Sequence, residues 1–273
     1  MKRCAKRGRC VISKNMSTNL TQADRRFVGV RNLYGDAAAK FASAHVFVIG
    51  VGGVGSWTVE ALARTGVGEL TLVDLDVLVE SNVNRQLPAL SETFGESKAE
   101  TMAVRAKSIN PNITVNVIDD FLTADNVKEI LPSKDDMQLL RAQGRQIVVL
   151  DCVDDMSAKL AIAVHCRFNK LKLIISGGAG GKTDPTQIKV ADLKDVSQDP
   201  LLARLRSKLR DKGINRELKE KFALKCVYST EQLKKVTACE SGLNCGGYGS
   251  AVVVTSTVGM IMAAECLSIL AKS

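Results

Sequence analysis

Short apolar runs alternate with longer amphipathic stretches along most of this chain. Val46-Phe47-Val48-Ile49, Leu70-Thr71-Leu72-Val73, Thr114 to Ile118, Ile147 to Leu150 and Leu173 to Ser176 are runs of four or five residues, mostly aliphatic. Apolar runs of this length predict strands buried on both faces, as in a parallel sheet. Between them, Asp36 to Ala44, Gly55 to Thr65, Ser97 to Ile109, Ala124 to Leu131 and Ser157 to Asn169 read as helices. Gly66 and Gly68 end the second helix, where φ must turn positive, and Asn110-Pro111 closes the third. The alternation predicts an α/β fold, a doubly wound and mainly parallel sheet with a C-terminal extension. Ligands of such folds bind beyond the carboxyl ends of the strands.

Three segments break the alternation. Pro132 to Gln146 reads as a polar connection. Leu201 to Lys225 reads as a basic helical stretch carrying Arg204, Arg206, Lys208, Arg210, Lys212, Arg216, Lys219, Lys221 and Lys225. Cys239 to Ser250 is a loop with Gly and Cys. The run Ala251 to Ala271 is apolar enough to raise a membrane span, but Glu265 inside it would be expensive in lipid. A buried helix, without membrane insertion, is the expectation.

Composition changes this picture little. With 273 residues, 45% of them hydrophobic and 4% aromatic, the chain can bury a large aliphatic core. The net charge of +9 fits a polyanionic partner, or an ordinary basic surface. Eight cysteines, with no secretory apolar segment before them and no C-x-x-C pair, predict free thiols in a reducing compartment and exclude a zinc site of paired knuckles. Residues 1–23 carry Lys2, Arg3, Lys6, Arg7, Arg9 and Lys14 and no acid. They read as a disordered tail ahead of a single domain over 24–273, in a cytoplasmic protein; the alternatives are a mitochondrial transit peptide or an extension upstream of Met16.

The candidate chemistry begins at Gly50-Val-Gly52-Gly53-Val-Gly55-Ser56, which follows a strand and opens a helix. Glycines let a phosphate approach the backbone, and the helix N-terminus favours the anion. Asp74 lies nineteen residues past Gly55 at the end of the second strand, with Asp76 beside it, and can accept from ribose hydroxyls. To this point NAD and ATP fit equally. Asn82, Arg85, Gln86 and Lys98 separate them. A dinucleotide does not require two cations beyond that strand, whereas a triphosphate does, to neutralise it and stabilise charge during group transfer. Asp151-Cys152-Val153-Asp154-Asp155 follows the Ile147 to Leu150 strand and faces the same edge. Asp154 is the chosen oxygen ligand for Mg²⁺, with Asp151 and Asp155 as alternatives; an Asp here can also cap the following helix.

These motifs together, spanning roughly Phe41 to Gly181, resemble the ubiquitin-activating-enzyme-like adenylation family, which includes the adenylyltransferases for the sulfur carriers of thiamine and molybdopterin synthesis. The resemblance implies a Rossmann-like fold and ATP as the nucleotide. It also implies that Asp74 binds ribose, that Arg85 and Lys98 contact phosphates, and that Asp154 serves the metal. A second set of segments resembles a tRNA-modifying branch of this family: Arg31-Asn-Leu-Tyr-Gly35, Glu60-Ala-Leu-Ala-Arg-Thr-Gly66, Ser176-Gly-Gly-Ala-Gly-Gly181, Asp184-Pro-Thr-Gln-Ile188, Gln198-Asp-Pro-Leu201, Cys226-Val-Tyr-Ser-Thr-Glu231 and Cys245-Gly-Gly-Tyr-Gly249. That branch implies ATP-dependent activation of the carboxylate of threonylcarbamoyladenosine next to the anticodon, ring closure with loss of water, and a homodimer. The basic stretch after Leu201 would then touch tRNA backbone.

Two departures stand out: Pro132 to Gln146 looks longer than the family's connection, and Thr230 to Cys245 looks shorter. The family also inserts an N-terminal arginine across a dimer, for which Arg26 and Arg31 are both candidates. Cys245, before Gly246-Gly247, could carry a covalent intermediate or be a bystander, and Cys239 is a weaker candidate. His45 and His165 are assigned to structure. A cysteine desulfurase or sulfur acceptor is a further candidate partner. The alternatives are an adenylyltransferase for the C-terminal glycine of a ubiquitin-like carrier and a non-catalytic nucleotide-dependent scaffold or sulfur-relay partner. A nicotinamide oxidoreductase comes last.

Overall fold

In chain order the elements are α1 (Val28–Tyr34), α2 (Ala37–Ser43), β1 (His45–Ile49), α3 (Gly55–Arg64), β2 (Glu69–Val73), α4 (Lys98–Ile109), β3 (Thr114–Ile118), α5 (Val127–Ile130), α6 (Lys134–Ala142), β4 (Ile147–Asp151), α7 (Met156–Phe168), β5 (Lys172–Ser176), β6 (Ile188–Asp192), α8 (Pro200–Asp211), β7 (Lys225–Ser229) and α9 (Val252–Lys272). They come from a computed structural model, which describes residues 25–215, 217, 220–233 and 249–272. The strands form one sheet in the order β3-β2-β1-β4-β5-β7-β6. All neighbours are parallel except β6, which runs antiparallel to β7. Strand order reverses between β1 and β4, so a crevice opens at their carboxyl ends.

The period-two alternation of β1 divides the core. Val46 and Val48 face a layer containing Leu62, Met102, Val258 and Met262, while Phe47 and Ile49 face one containing Ile162, Cys166, Leu202 and Leu205. Helices therefore cover both faces of the sheet, as the unbroken apolar strands require. α9 places Val254, Val258, Met262, Cys266 and Leu270 in the core. It crosses α3 closely enough for the Thr58 hydroxyl to donate to the Gly259 carbonyl at 3.1 Å, a contact 201 residues apart in the chain.

Three expectations need correction. Pro132 to Gln146 is not merely a connection: it holds α6, started by a reciprocal cap in which the Ser133 hydroxyl accepts from the Asp136 N–H and the Asp136 carboxylate accepts from the Ser133 N–H. A single buried apolar side chain, Met137, anchors it, too little to show as a periodic pattern. The helix expected over Ala124 to Leu131 shrinks to the single turn of α5. Among the described residues, the basic stretch Leu201 to Lys225 is helical only through Asp211, and Lys225 opens β7; Arg216 and Lys219 lie outside the described residues. β6 escaped notice because its residues are half-buried or exposed and include Lys189 and Asp192.

Candidate functional site

The turn after β1 is built for close approach. Gly50 has φ +85°, which favours glycine, and its N–H donates to the Val73 carbonyl at 2.9 Å. A Cβ on Gly55 would lie 1.9 Å from the Gly50 carbonyl oxygen, so no other residue closes this loop. The Ser56 hydroxyl donates to the Gly52 carbonyl at 2.7 Å and accepts from the Leu87 N–H at 3.2 Å, tying the loop to the segment after Arg85. At the N-terminus of α3 the Ser56 N–H donates to the Gly52 carbonyl at 3.0 Å and the Thr58 N–H to the Val54 carbonyl at 3.1 Å; the helix dipole still favours an anion at this end.

Asp74, at the end of β2, is buried beside this loop. One carboxylate oxygen accepts from the Val51 N–H at 2.6 Å and the other from the Asp76 N–H at 2.9 Å. Burial pushes its carboxyl above the usual range; these two N–H groups and nearby Lys98 oppose that. Each oxygen keeps acceptor capacity for a hydroxyl. Lys98 is the first residue of α4, behind the N-cap Ser97, and its ammonium lies 2.7 Å from the half-exposed Asp76 carboxylate.

Arg85 lies across the loop, its Cγ 3.2 Å from where a Cβ on Gly53 would be. Its guanidinium donates to the Ser81 carbonyl at 2.8 Å and to the Asn84 side-chain oxygen at 3.0 Å. Its carbonyl accepts from the Trp57 indole N–H at 3.0 Å. Asn82 is buried and its side-chain oxygen accepts from the Val79 N–H at 3.2 Å, which shapes the turn carrying Arg85. Gln86 is buried beneath Gly52, and its Oε1 has no hydrogen-bond partner among the described residues.

The structure separates the three acids after β4. Asp151 is fully buried and paired at 2.9 Å with the equally buried Lys159 of α7. Burial pushes Asp151 up and Lys159 opposes it. Asp155 is the N-cap of α7, accepting from the Ala158 N–H at 2.8 Å. Asp154 and Asp155 are both exposed, and of the three acids Asp154 alone makes no side-chain hydrogen bond or ion pair among the described residues. Lys159 escaped sequence analysis, because a lysine within an otherwise apolar helix reads as solvated; its only signal was its place eight residues after a strand-end Asp. Its ammonium also donates to the Ser176 carbonyl at 3.1 Å, joining the ends of β4 and β5.

Beyond β5 the Gly177–Gly181 loop borders the same edge. Asp199, the N-cap of α8, accepts from the Leu202 N–H at 3.0 Å and from the Gly178 N–H at 2.9 Å. Gly181 donates to the Gly249 carbonyl at 2.7 Å, and Asn84 donates to the Ser250 carbonyl at 2.9 Å. Lys182 is buried and donates to the Ser229 carbonyl at 2.8 Å; burial lowers its pKa against the pull of Asp199 and Glu231. Cys239 and Cys245 lie outside the described residues. Of the other thiols, Cys152 is pushed up to about 12 by burial, and Cys166, Cys226 and Cys266 are pushed up as well.

The remaining candidates sort by contact. Arg26 donates to the carbonyls of Ser108 and Ile109, both at 2.8 Å, at the end of α4. Arg31 lines a cleft with Phe27, Asp36 and Asn112. The His45 ring pairs with the Thr71 hydroxyl at 2.8 Å and the His165 ring with the Pro132 carbonyl at 3.0 Å, both away from the crevice.

The sequence pattern that defines the ThiF family matches residues 25–273. The chain is 43% identical over 257 residues, 91% of its length and 94% of the relative's, to the tRNA threonylcarbamoyladenosine dehydratase of Haemophilus influenzae. The structure of the Escherichia coli tRNA N6-threonylcarbamoyladenosine dehydratase in complex with ATP superposes with a TM-score of 0.80 at 42% identity, covering 92% of this chain and 96% of that one. The molybdopterin-synthase adenylyltransferase of Haemophilus influenzae is 31% identical, over 53% of this chain and 54% of its own length.

Proposed function

This chain belongs to the ThiF family, and from that membership we propose that it is an ATP-dependent dehydratase of threonylcarbamoyladenosine in tRNA. The observation that carries this reading is the identity of 43% maintained over 91% of the chain and 94% of the dehydratase relative. The adenylyltransferase relative matches only 53% of the chain. An adenylating site alone would account for a partial match; the rest of the chain is matched by a protein whose substrate is a tRNA nucleoside.

In the proposed reaction the nucleoside carboxylate attacks the α-phosphorus of ATP and pyrophosphate leaves. A nucleophile on the same side chain then attacks the acyl adenylate and expels AMP. Activation replaces a poor leaving group, and closure is intramolecular, so proximity lowers its barrier. We assign ribose binding to Asp74, whose carboxylate is fixed by the Val51 and Asp76 N–H groups. The phosphates lie on Gly50, Gly52, Gly53 and Gly55, where the N-terminus of α3 favours them. Arg85 and Lys98 neutralise them, Lys98 exchanging Asp76 for phosphate. Asn82 acts by shaping the Arg85 turn.

We assign Mg²⁺ to Asp154. Its hard, uncommitted carboxylate suits the ion, whereas Asp151 is held by Lys159 and Asp155 by α7. When bound, the ion would share the phosphate charge. We also infer a homodimer, supported by the apolar face that α9 exposes at Val253 and Met260; sedimentation at micromolar concentration tests it. The reaction moves no sulfur, so a cysteine desulfurase or sulfur acceptor has no step in it. It needs no thioester either, and a Cys245→Ser variant is expected to keep full activity.

The test is to incubate the protein with ATP and tRNA bearing threonylcarbamoyladenosine, then weigh the nucleoside. Loss of one water with AMP release is expected. AMP formation only on addition of a carrier protein with a Gly-Gly tail would replace this reading with the adenylyltransferase.

A further inference from the structure

The basic stretch after Leu201 does not act as one surface. Within α8, Leu202, Leu205 and Leu209 form the buried stripe. Arg206 is spent on its own fold, its guanidinium donating to the carbonyls of Leu193 at 3.0 Å and Val196 at 2.9 Å. Arg210 lies over the Phe222 ring, 5.6 Å from its centroid. These two arginines flank one side of the leucine stripe. On the other side Arg204, Lys208 and Lys212 are all exposed and make no ion pair or hydrogen bond through their side chains among the described residues.

Their spacing of four residues sets them in one strip, about 80° wide, with steps of about 6 Å along the axis. Asp211 is the only acid of the helix and lies at its last turn. The strip is tied to the site: the N-cap Asp199 holds the Gly178 N–H at 2.9 Å. Counted from Asp199, the three cations lie about 8, 14 and 20 Å away along the helix.

We propose that Arg204, Lys208 and Lys212 bind the tRNA backbone that flanks the reacting nucleoside, and that Arg206 and Arg210 do not. This rests on the tRNA reading above. A regular row of solvated cations leading away from a glycine loop suits a chain of phosphates, which attract lysine and arginine without regard to base sequence and release counterions on binding.

The test compares the native protein with an R204Q/K208Q/K212Q variant, on tRNA bearing threonylcarbamoyladenosine, at several salt concentrations. The variant should raise KM for tRNA about tenfold or more, with kcat within about twofold. It should also flatten the slope of log affinity against log salt by about 2 to 3 units, one for each lost phosphate contact or slightly less. ATP affinity measured without tRNA should not move, which shows that the variant is folded. Unchanged KM and salt slope in a variant that still binds ATP would overturn the proposal. A native protein that never dehydrates the nucleoside would instead overturn the parent reading. Single charge reversals, R204E, K208E and K212E, give a second route: each should weaken tRNA binding, and no effect from any of them overturns the strip.

Discussion

Lys159 and Asp151 form an ion pair 2.9 Å apart in which neither side chain has any solvent exposure. The pair stands behind the acids that follow β4 and, through the Ser176 carbonyl, behind the glycine loop that follows β5. A buried charge without its partner is costly, whereas removal of both charges is tolerated. Lys159→Met and Asp151→Asn should therefore each lose about 3–5 kcal/mol of stability, and the double variant should recover most of it. Urea unfolding of the four proteins measures this, and additive losses in the double variant would refute the coupling.

Asp74→Ala removes the carboxylate that holds the Val51 and Asp76 N–H groups and to which we assign the ribose. Two charge-assisted hydrogen bonds are worth about 3–6 kcal/mol, so AMP formation should fall by at least about 100-fold. The assignment to ribose makes a sharper demand. A deoxy analogue of ATP should be a poor substrate for the native protein, and Asp74→Ala should discriminate against it far less. Equal discrimination by the two proteins would remove Asp74 from the ribose.

Trp57 is the chain's only tryptophan, and its indole N–H is bonded to the Arg85 carbonyl. Arg85 uses one guanidinium nitrogen on Ser81 and Asn84 and keeps the rest for a phosphate; a phosphate taken up there should shift the turn bonded to Trp57, so ATP should change the Trp57 emission. Arg85→Ala should abolish the change and lower turnover by about 10²–10³, the cost of one missing group that stabilises charge in a transition state. Calorimetric evidence of ATP binding with a flat emission titration would contradict this.

Glu60 gives a pH dependence of stability. Burial raises its pKa, but hydrogen bonds and charge from Arg105 and Arg64 outweigh this and leave it below the usual carboxylate value. A lowered folded-state pKa stabilises the fold above the ordinary carboxylate pKa, and this stability fades as pH falls through the lowered value. Both arginines are substantially exposed, which screens the effect. Glu60→Gln should lose about 1–2 kcal/mol at pH 7 and show a flatter loss of stability in acid. Parallel acid profiles for the two proteins would count against it.

The nucleotide half of the fold was readable in the sequence because buried parallel strands and a phosphate loop write themselves in adjacent residues. The run Val46 to Ile49 predicts β1, and Gly50 to Ser56 predicts the turn after it. The second half is held by contacts between distant residues. β6 is an exposed antiparallel edge, Lys159 serves Asp151 from the next helix, and Asp199 serves Gly178 from twenty-one residues away. No local pattern distinguishes Arg206, which binds carbonyls, from Arg204, which faces water. Charge was visible in the sequence; its employment was not.

The crossing of α9 on α3 has a consequence for synthesis. The Thr58 hydroxyl meets the Gly259 carbonyl 201 residues later. At elongation rates of about 5–20 residues per second, roughly 10–40 seconds separate the two. Throughout that interval the emerging chain carries every glycine of the phosphate loop, yet the helix behind the loop lacks its final support. The last support of the helix behind the glycine loop thus comes from a segment that contains none of the glycine motif and is made 201 residues later.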